Sequence, residues 1–152
     1  MRAAALALLF AAAAAATPAS ARAEAAPPPP LPYATPVRLF AAAEEAWSSS
    51  NADLLAGLVD TTSVRISLKP GAPLTEATTR SAAAFLFQDQ LRLVATQSFQ
   101  VFSISVDKTS ASAAARWDGD WGGRLGVRRL TVRMRAVPVG GRWCLREVRV
   151  KG

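Results

Sequence analysis

Asp60, Asp89, Asp118 and Asp120 are the acids on which carboxylate chemistry would have to rest, and few other reactive side chains accompany them. The chain has no histidine, one tyrosine (Tyr33) and one cysteine (Cys144). Asp89 lies in a predicted helix among polar residues, a surface position. Asp118 and Asp120 flank Gly119 in a predicted turn, an ordinary place for aspartate because its side chain bonds the local backbone. Metal chemistry is equally poorly supplied, since there is no run of Asp and Glu at calcium-loop spacing and Asp118-Gly119-Asp120 is too short to make one. Gly119, Gly122, Gly123 and Gly126 lack the lysine and the following helix that a phosphate cradle needs. No catalytic, cofactor-binding or metal-binding residue is assigned, and a buried inert thiol is expected at Cys144, between Trp143 and Leu145 in a predicted strand.

The basic residues have more pattern. Arginine supplies 15 of the 18 basic residues, and Lys69, Lys108 and Lys151 are the rest. Arg124, Arg128, Arg129, Arg133 and Arg135 gather in one predicted strand and its approach, and Arg142, Arg146 and Arg149 follow in the next. Alternate residues of a strand share a face, so Arg129, Thr131, Arg133 and Arg135 point one way and Leu130, Val132, Met134 and Ala136 the other. The result is a positive stripe at Arg129, Arg133 and Arg135, continued by Arg146 or Arg149 if the last strand is bulged. Such a stripe suits a polyanion, an acidic protein or a paired copy of the chain. The interleaved aromatics of a base-stacking platform are missing, which disfavours nucleic acid. An arginine-rich composition offers a competing, purely compositional explanation.

The elements that must position these residues follow a leader. Arg2, an unbroken Ala/Leu/Phe stretch from Ala3 to Ala16 and the small-residue site Ala21-Arg22-Ala23 predict a signal peptide over residues 1–23, with cleavage after Ala23 or alternatively after Ala21. Thr17-Pro18 ends the apolar stretch short of the roughly 20 residues a membrane span requires. The protein is thus expected to be exported, periplasmic or secreted. Loss of Arg2 and Arg22 lowers the formal charge of +7 by two. One unpaired cysteine means that no intrachain disulfide holds the mature domain, so the core must. Pro27 to Pro30, with Pro32 and Pro36, read as an extended linker over residues 24–36, and one domain is expected over residues 37–152.

Within that domain, Thr35-Pro36 supplies an N-cap and a first-turn proline for a helix to about Ser48, with Val37, Phe40, Ala43 and Trp47 along one side. Asn51 caps a short second helix bearing Leu54, Leu55 and Leu58. Val64, Ile66 and Leu68 alternate as a strand, and Lys69-Pro70-Gly71-Ala72-Pro73 forces a loop. A third helix is predicted from about Thr79 to Val94, carrying Ala82, Phe85, Leu86 and Leu93 toward the core. Four β segments follow, at about 99–106, 110–117, 127–137 and 142–150, and their short connections predict antiparallel neighbours.

This order resembles the nuclear-transport-factor-2-like superfamily, which includes ketosteroid isomerase and polyketide cyclase relatives. The resemblance spans about residues 36–150 and is carried by Ala46-Trp47-Ser48, by the run Ser50-Asn51-Ala52-Asp53-Leu54-Leu55-Ala56-Gly57-Leu58-Val59, and by Gly141-Arg142-Trp143-Cys144-Leu145-Arg146-Glu147-Val148-Arg149-Val150. It implies an α+β fold in which a cone-shaped, curved antiparallel sheet wraps over about three N-terminal helices, leaving a cavity at the wide end. Trp47, Phe85, Trp117 and Trp121 are the candidates to line that cavity, and Trp117 and Trp121 bracket the glycine-rich loop at its mouth. An isomerase-like site would need a carboxylate base with a tyrosine and a protonated aspartate as donors. Tyr33 falls in the linker, and histidine-dependent dehydratase chemistry is excluded, leaving a carboxylate with Trp or Arg donors. The expectation is a non-enzymatic, cofactor-free domain that binds a small apolar ligand or a protein partner, or pairs as a homodimer, through cavity or sheet face. A cavity enzyme and a polyanion-binding module are the alternatives.

Overall fold

A computed structural model of the chain describes residues 33–152. The predicted signal peptide and most of the predicted linker lie outside the described residues. Helix α1 (Pro36–Ser48) starts where Thr35 Oγ1 accepts the Arg38 amide, with Pro36 in its first turn. Helix α2 (Ala52–Gly57) is capped in the same way by Asn51, whose Oδ1 accepts the Leu54 amide at 3.0 Å. Strands β1 (Val64–Ser67) and β2 (Thr75–Ala77) form a small hairpin across the Pro/Gly loop. Thr79 caps helix α3 (Arg80–Leu93). A meander follows: β3 (Ala95–Val106), β4 (Ala111–Asp120), β5 (Val127–Val139) and β6 (Arg142–Lys151).

These strands make one curved six-stranded sheet in the order β2-β1-β6-β5-β4-β3. Every pairing is antiparallel except β1 with β6, which run parallel with Ile66 opposite Val148. The β5–β6 turn is Gly140-Gly141, both at positive φ; a two-residue hairpin needs that conformation for its twist to match the strands. Curvature comes with three register shifts, two in β3 and one between Arg135 and Ala136 opposite β6, since an extra residue bends a strand and increases its twist.

The helices cover the inner face, and β4 shows the division most plainly: Ala111, Ala113, Ala115 and Trp117 are buried while Ser112 and Arg116 are exposed. The alternation expected for β5 is present, with Leu130, Val132, Met134 and Ala136 inside and Arg129, Arg133 and Arg135 outside. Helix α3 presents a different face from the one expected. Ala83, Phe87, Gln90 and Leu91 are buried, whereas Phe85 is 68% exposed and Ala82 and Leu93 are exposed as well. The correct stripe begins at an alanine and includes a glutamine, so its apolar signal is weak; Phe85 stands out by size alone. Tyr33 joins the domain: its carbonyl accepts the Trp143 amide at 2.9 Å and its ring packs on the core.

Candidate functional site

Three of the four aromatic candidates come together, and they fill the cone. Trp47 and Trp117 are fully buried. The Trp47 ring stacks on Phe99 at 4.6 Å and meets Phe87 and Trp117 edge-on at 6.2 and 5.2 Å, the geometries that ring quadrupoles favour. Trp117 donates its indole N–H to Thr96 Oγ1 at 3.1 Å. Trp121, half-buried, leans on Trp117 at 5.2 Å and also covers Gly119. Phe85 takes no part, since it projects from α3 into solvent.

Of the four acids, Asp60 is buried, at 2% exposure. It follows Leu58 and Val59, whose backbone joins β6: the Leu145 amide donates to the Leu58 carbonyl and the Asp60 amide to the Leu145 carbonyl. Asp60 Oδ1 accepts the Thr62 amide at 2.9 Å and the Thr62 hydroxyl at 2.7 Å, and Oδ2 accepts from Arg146, the residue at the β6 bulge. Burial alone would push the Asp60 carboxyl up, but the hydrogen bonds from Thr62 and then from Arg146 outweigh it and hold the carboxyl below its usual value. Such a group stays ionised and fully bonded, which is a poor state for a proton acceptor. Asp118 grips Arg129 at 2.7 and 3.1 Å and accepts from Ser98. The Arg129 hydrogen bonds lower its pKa. Asp120 accepts the Gly122 amide at 2.7 Å and shapes the turn. Asp89 sits half-exposed on α3, 3.9 Å from Arg92.

The outer face of the sheet gathers the basic residues. Arg129, Arg133 and Arg135 stand along β5, and the bulge in β6 turns Arg149 to the same face, directly opposite Arg133. Arg116 of β4 lies beside Thr131 and Lys151 of β6 on its other side. Carboxylates on this face are Asp118, taken by Arg129; Glu147, held by Arg65 at 2.6 Å and approached by Arg149 at 3.7 Å; Glu76, directly opposite Arg65 and bonded by the Ser63 hydroxyl; and Asp120 at the end of β4, which accepts the Gly122 amide. Arg116, Arg133, Arg135 and Lys151 make no ion pair among the described residues. In the middle of the face is a hollow of about 370 Å³ between Phe102 and Arg133, with Ser103, Ser112, Ala114 and Thr131 around it. Phe102, 58% exposed, was missed from the sequence; it is the extra residue at the second β3 bulge, and bulge positions carry no alternation signal.

No protein-family model and no curated protein matches the chain. Solved structures do. A DUF4783 family protein from Bacteroides ovatus aligns with a TM-score of 0.62 at 13% identity, over 73% of this chain and 92% of its own. A protein with a ketosteroid isomerase-like fold from Catenulispora acidiphila, in complex with trimethylamine, aligns at 0.60 and 11% identity, over 75% and 84%. A putative dehydratase from the NTF2-like family of Streptomyces avermitilis aligns at 0.54 and 14% identity, over 74% and 90%. At these identities the likeness establishes architecture: curved sheet, helices on its inner face and order of elements together give this chain the nuclear-transport-factor-2-like fold.

Proposed function

We propose that the protein is an exported, non-enzymatic binding domain that meets an acidic protein partner through the outer face of its sheet. The observation that carries this reading is the cation excess of this face, with Arg133 directly opposite Arg149, with Arg116, Arg133, Arg135 and Lys151 in no ion pair among the described residues, and with Arg149 sharing Glu147 with Arg65. Like charges placed opposite one another destabilise a sheet, so this arrangement costs the free domain stability that a carboxylate-bearing partner recovers. The hollow beside Phe102 and Arg133 would receive a partner side chain that is apolar along its stem and acidic at its tip. Pairing with a second copy through this face fits less well, because a twofold interface brings the same cation excess in twice.

Two observations favour binding over catalysis. Rings occupy the cone where relatives of this fold would have a cavity, and the buried acid is committed to Thr62 and Arg146. Export rests on Arg2, the apolar stretch and Ala21-Arg22-Ala23. No helix among the described residues is long and apolar enough to cross a membrane.

The test is the affinity for a glutamate-rich peptide as a function of salt. The complex should weaken steeply as salt rises through the range where screening falls to about 10 Å, and the double reversal Arg133→Glu/Arg135→Glu should lower affinity about a hundredfold or more. Equal binding by wild type and double variant would remove the sheet face from the account.

A further inference from the structure

We infer that the far end of strand β3 pairs with the same strand of a second copy of this chain, joining two sheets edge to edge about a twofold axis at Ser105. β3 is the outermost strand on its side of the sheet. Glu44 and Ser48 of α1 engage its edge at Val101 and Phe99, and beyond Val101 no other element among the described residues bonds to that edge. Past the bulge at Phe102 the strand is regular, with Ser103 to Val106 in unbroken register with β4. The Asp107 amide donates to the Ser110 carbonyl at 2.8 Å, so Asp107 turns its backbone toward β4. Alternation then turns the N–H and C=O of Ile104 and Val106 outward, away from the sheet.

Natural edge strands guard such groups with charged side chains or proline, and from Gln100 to Val106 there is neither. Ile104 and Val106 are 38% and 54% exposed although they stand opposite the buried Ala113 and Ala111. An uncharged, β-branched edge of this kind is a template for another strand, and an identical strand fits it. With the axis at Ser105, Ile104 lies opposite Val106 of the second copy, each such pair exchanging both its main-chain hydrogen bonds. The same register brings Lys108 of the second copy alongside Phe102, one position from Val101, where Glu44 sits. Neither Glu44 nor Lys108 makes an ion pair among the described residues, and the twofold brings these opposite charges together on both sides of the axis. The cation excess does not oppose this contact as it opposes pairing through the sheet face. Arg116 on β4 and Arg133 on β5 would lie three and five strand spacings from their mates, about 14 and 24 Å, beyond the screening length of about 8–10 Å.

Sedimentation velocity of the intact protein over roughly 1–100 μM should show a monomer–dimer equilibrium with Kd of about 10 μM, as suits a small interface. Amide hydrogen exchange at Ile104 and Val106 should slow as the dimer fills. Ile104→Pro removes an N–H that the monomer does not use and that an edge strand can spare, so it should raise Kd about a hundredfold. If that variant folds poorly, Lys108→Glu, in an exposed turn, sets like charge against Glu44 and should raise Kd about tenfold. A monomer at every concentration would overturn the inference. So would a dimer that survives both edge variants but is broken by Arg133→Glu/Arg135→Glu, or exchange at Ile104 that is slow at all concentrations, the mark of an edge covered from within the chain.

Discussion

Asp60 keeps its charge in the interior because Thr62 and Arg146 supply its donors, and that arrangement ties the entry of β1 to the bulge of β6. Its pKa is lower folded than unfolded, so the stability it contributes is complete above the unfolded value of about 3.9 and is lost as pH falls through the folded value. Asp60→Asn should therefore cost about 1–3 kcal/mol near neutrality, where Arg146 loses its counter-charge. The gap between variant and wild type should begin to narrow below about pH 4 and close once the pH lies below the lowered folded-state value. Urea denaturation in pH steps measures this, and a gap that persists unchanged into acid would contradict the assignment. At this scale the sequence was informative about what a residue is and less so about where it points. Cys144 is buried in β6 as its neighbours implied, while Phe85, the most conspicuous apolar residue of α3, faces water.

Elements with strong periodicity or caps were legible: α1, α2 and α3 start at Thr35, Asn51 and Thr79, and the meander turns fall where glycine, proline and aspartate cluster. Strand β2 was not, because Thr75-Glu76-Ala77 is too short to alternate and exists by pairing with β1. The parallel joining of β1 to β6 was equally hidden, being a contact between residues some 80 positions apart. Helix α1 also protects the sheet: Glu44 accepts the Val101 amide at 2.6 Å and Ser48 donates to the Phe99 carbonyl, so the open edge of β3 is occupied at its middle. Where β4 ends, packing is tight. A Cβ at Gly119 would lie 2.5 Å from Val94 Cγ1 and 3.0 Å from Trp121 Cζ3. Gly119→Ala should cost about 1–3 kcal/mol by overpacking and shift the Trp117–Trp121 fluorescence, both readable in one denaturation series; a neutral substitution would show that Trp121 is loosely held.

For the whole molecule, the cone and the sheet's outer face divide the work. Trp47, Phe87, Phe99 and Trp117 occupy the interior, and stability of the domain rests on that packing because Cys144 is its one cysteine. The outer face, by contrast, has charge in excess and a hollow at its centre. Its β5 arginines were readable from alternation alone. Its completion by Arg149 depends on a bulge that only the folded register reveals. Whether this face is the contact surface is decided by amide-shift mapping of the labelled protein against a glutamate-rich peptide. Saturable shifts should cluster at Ser112, Ala114, Arg116, Thr131, Arg133 and Arg149. Shifts confined to the helices, or none at low salt, would contradict that role.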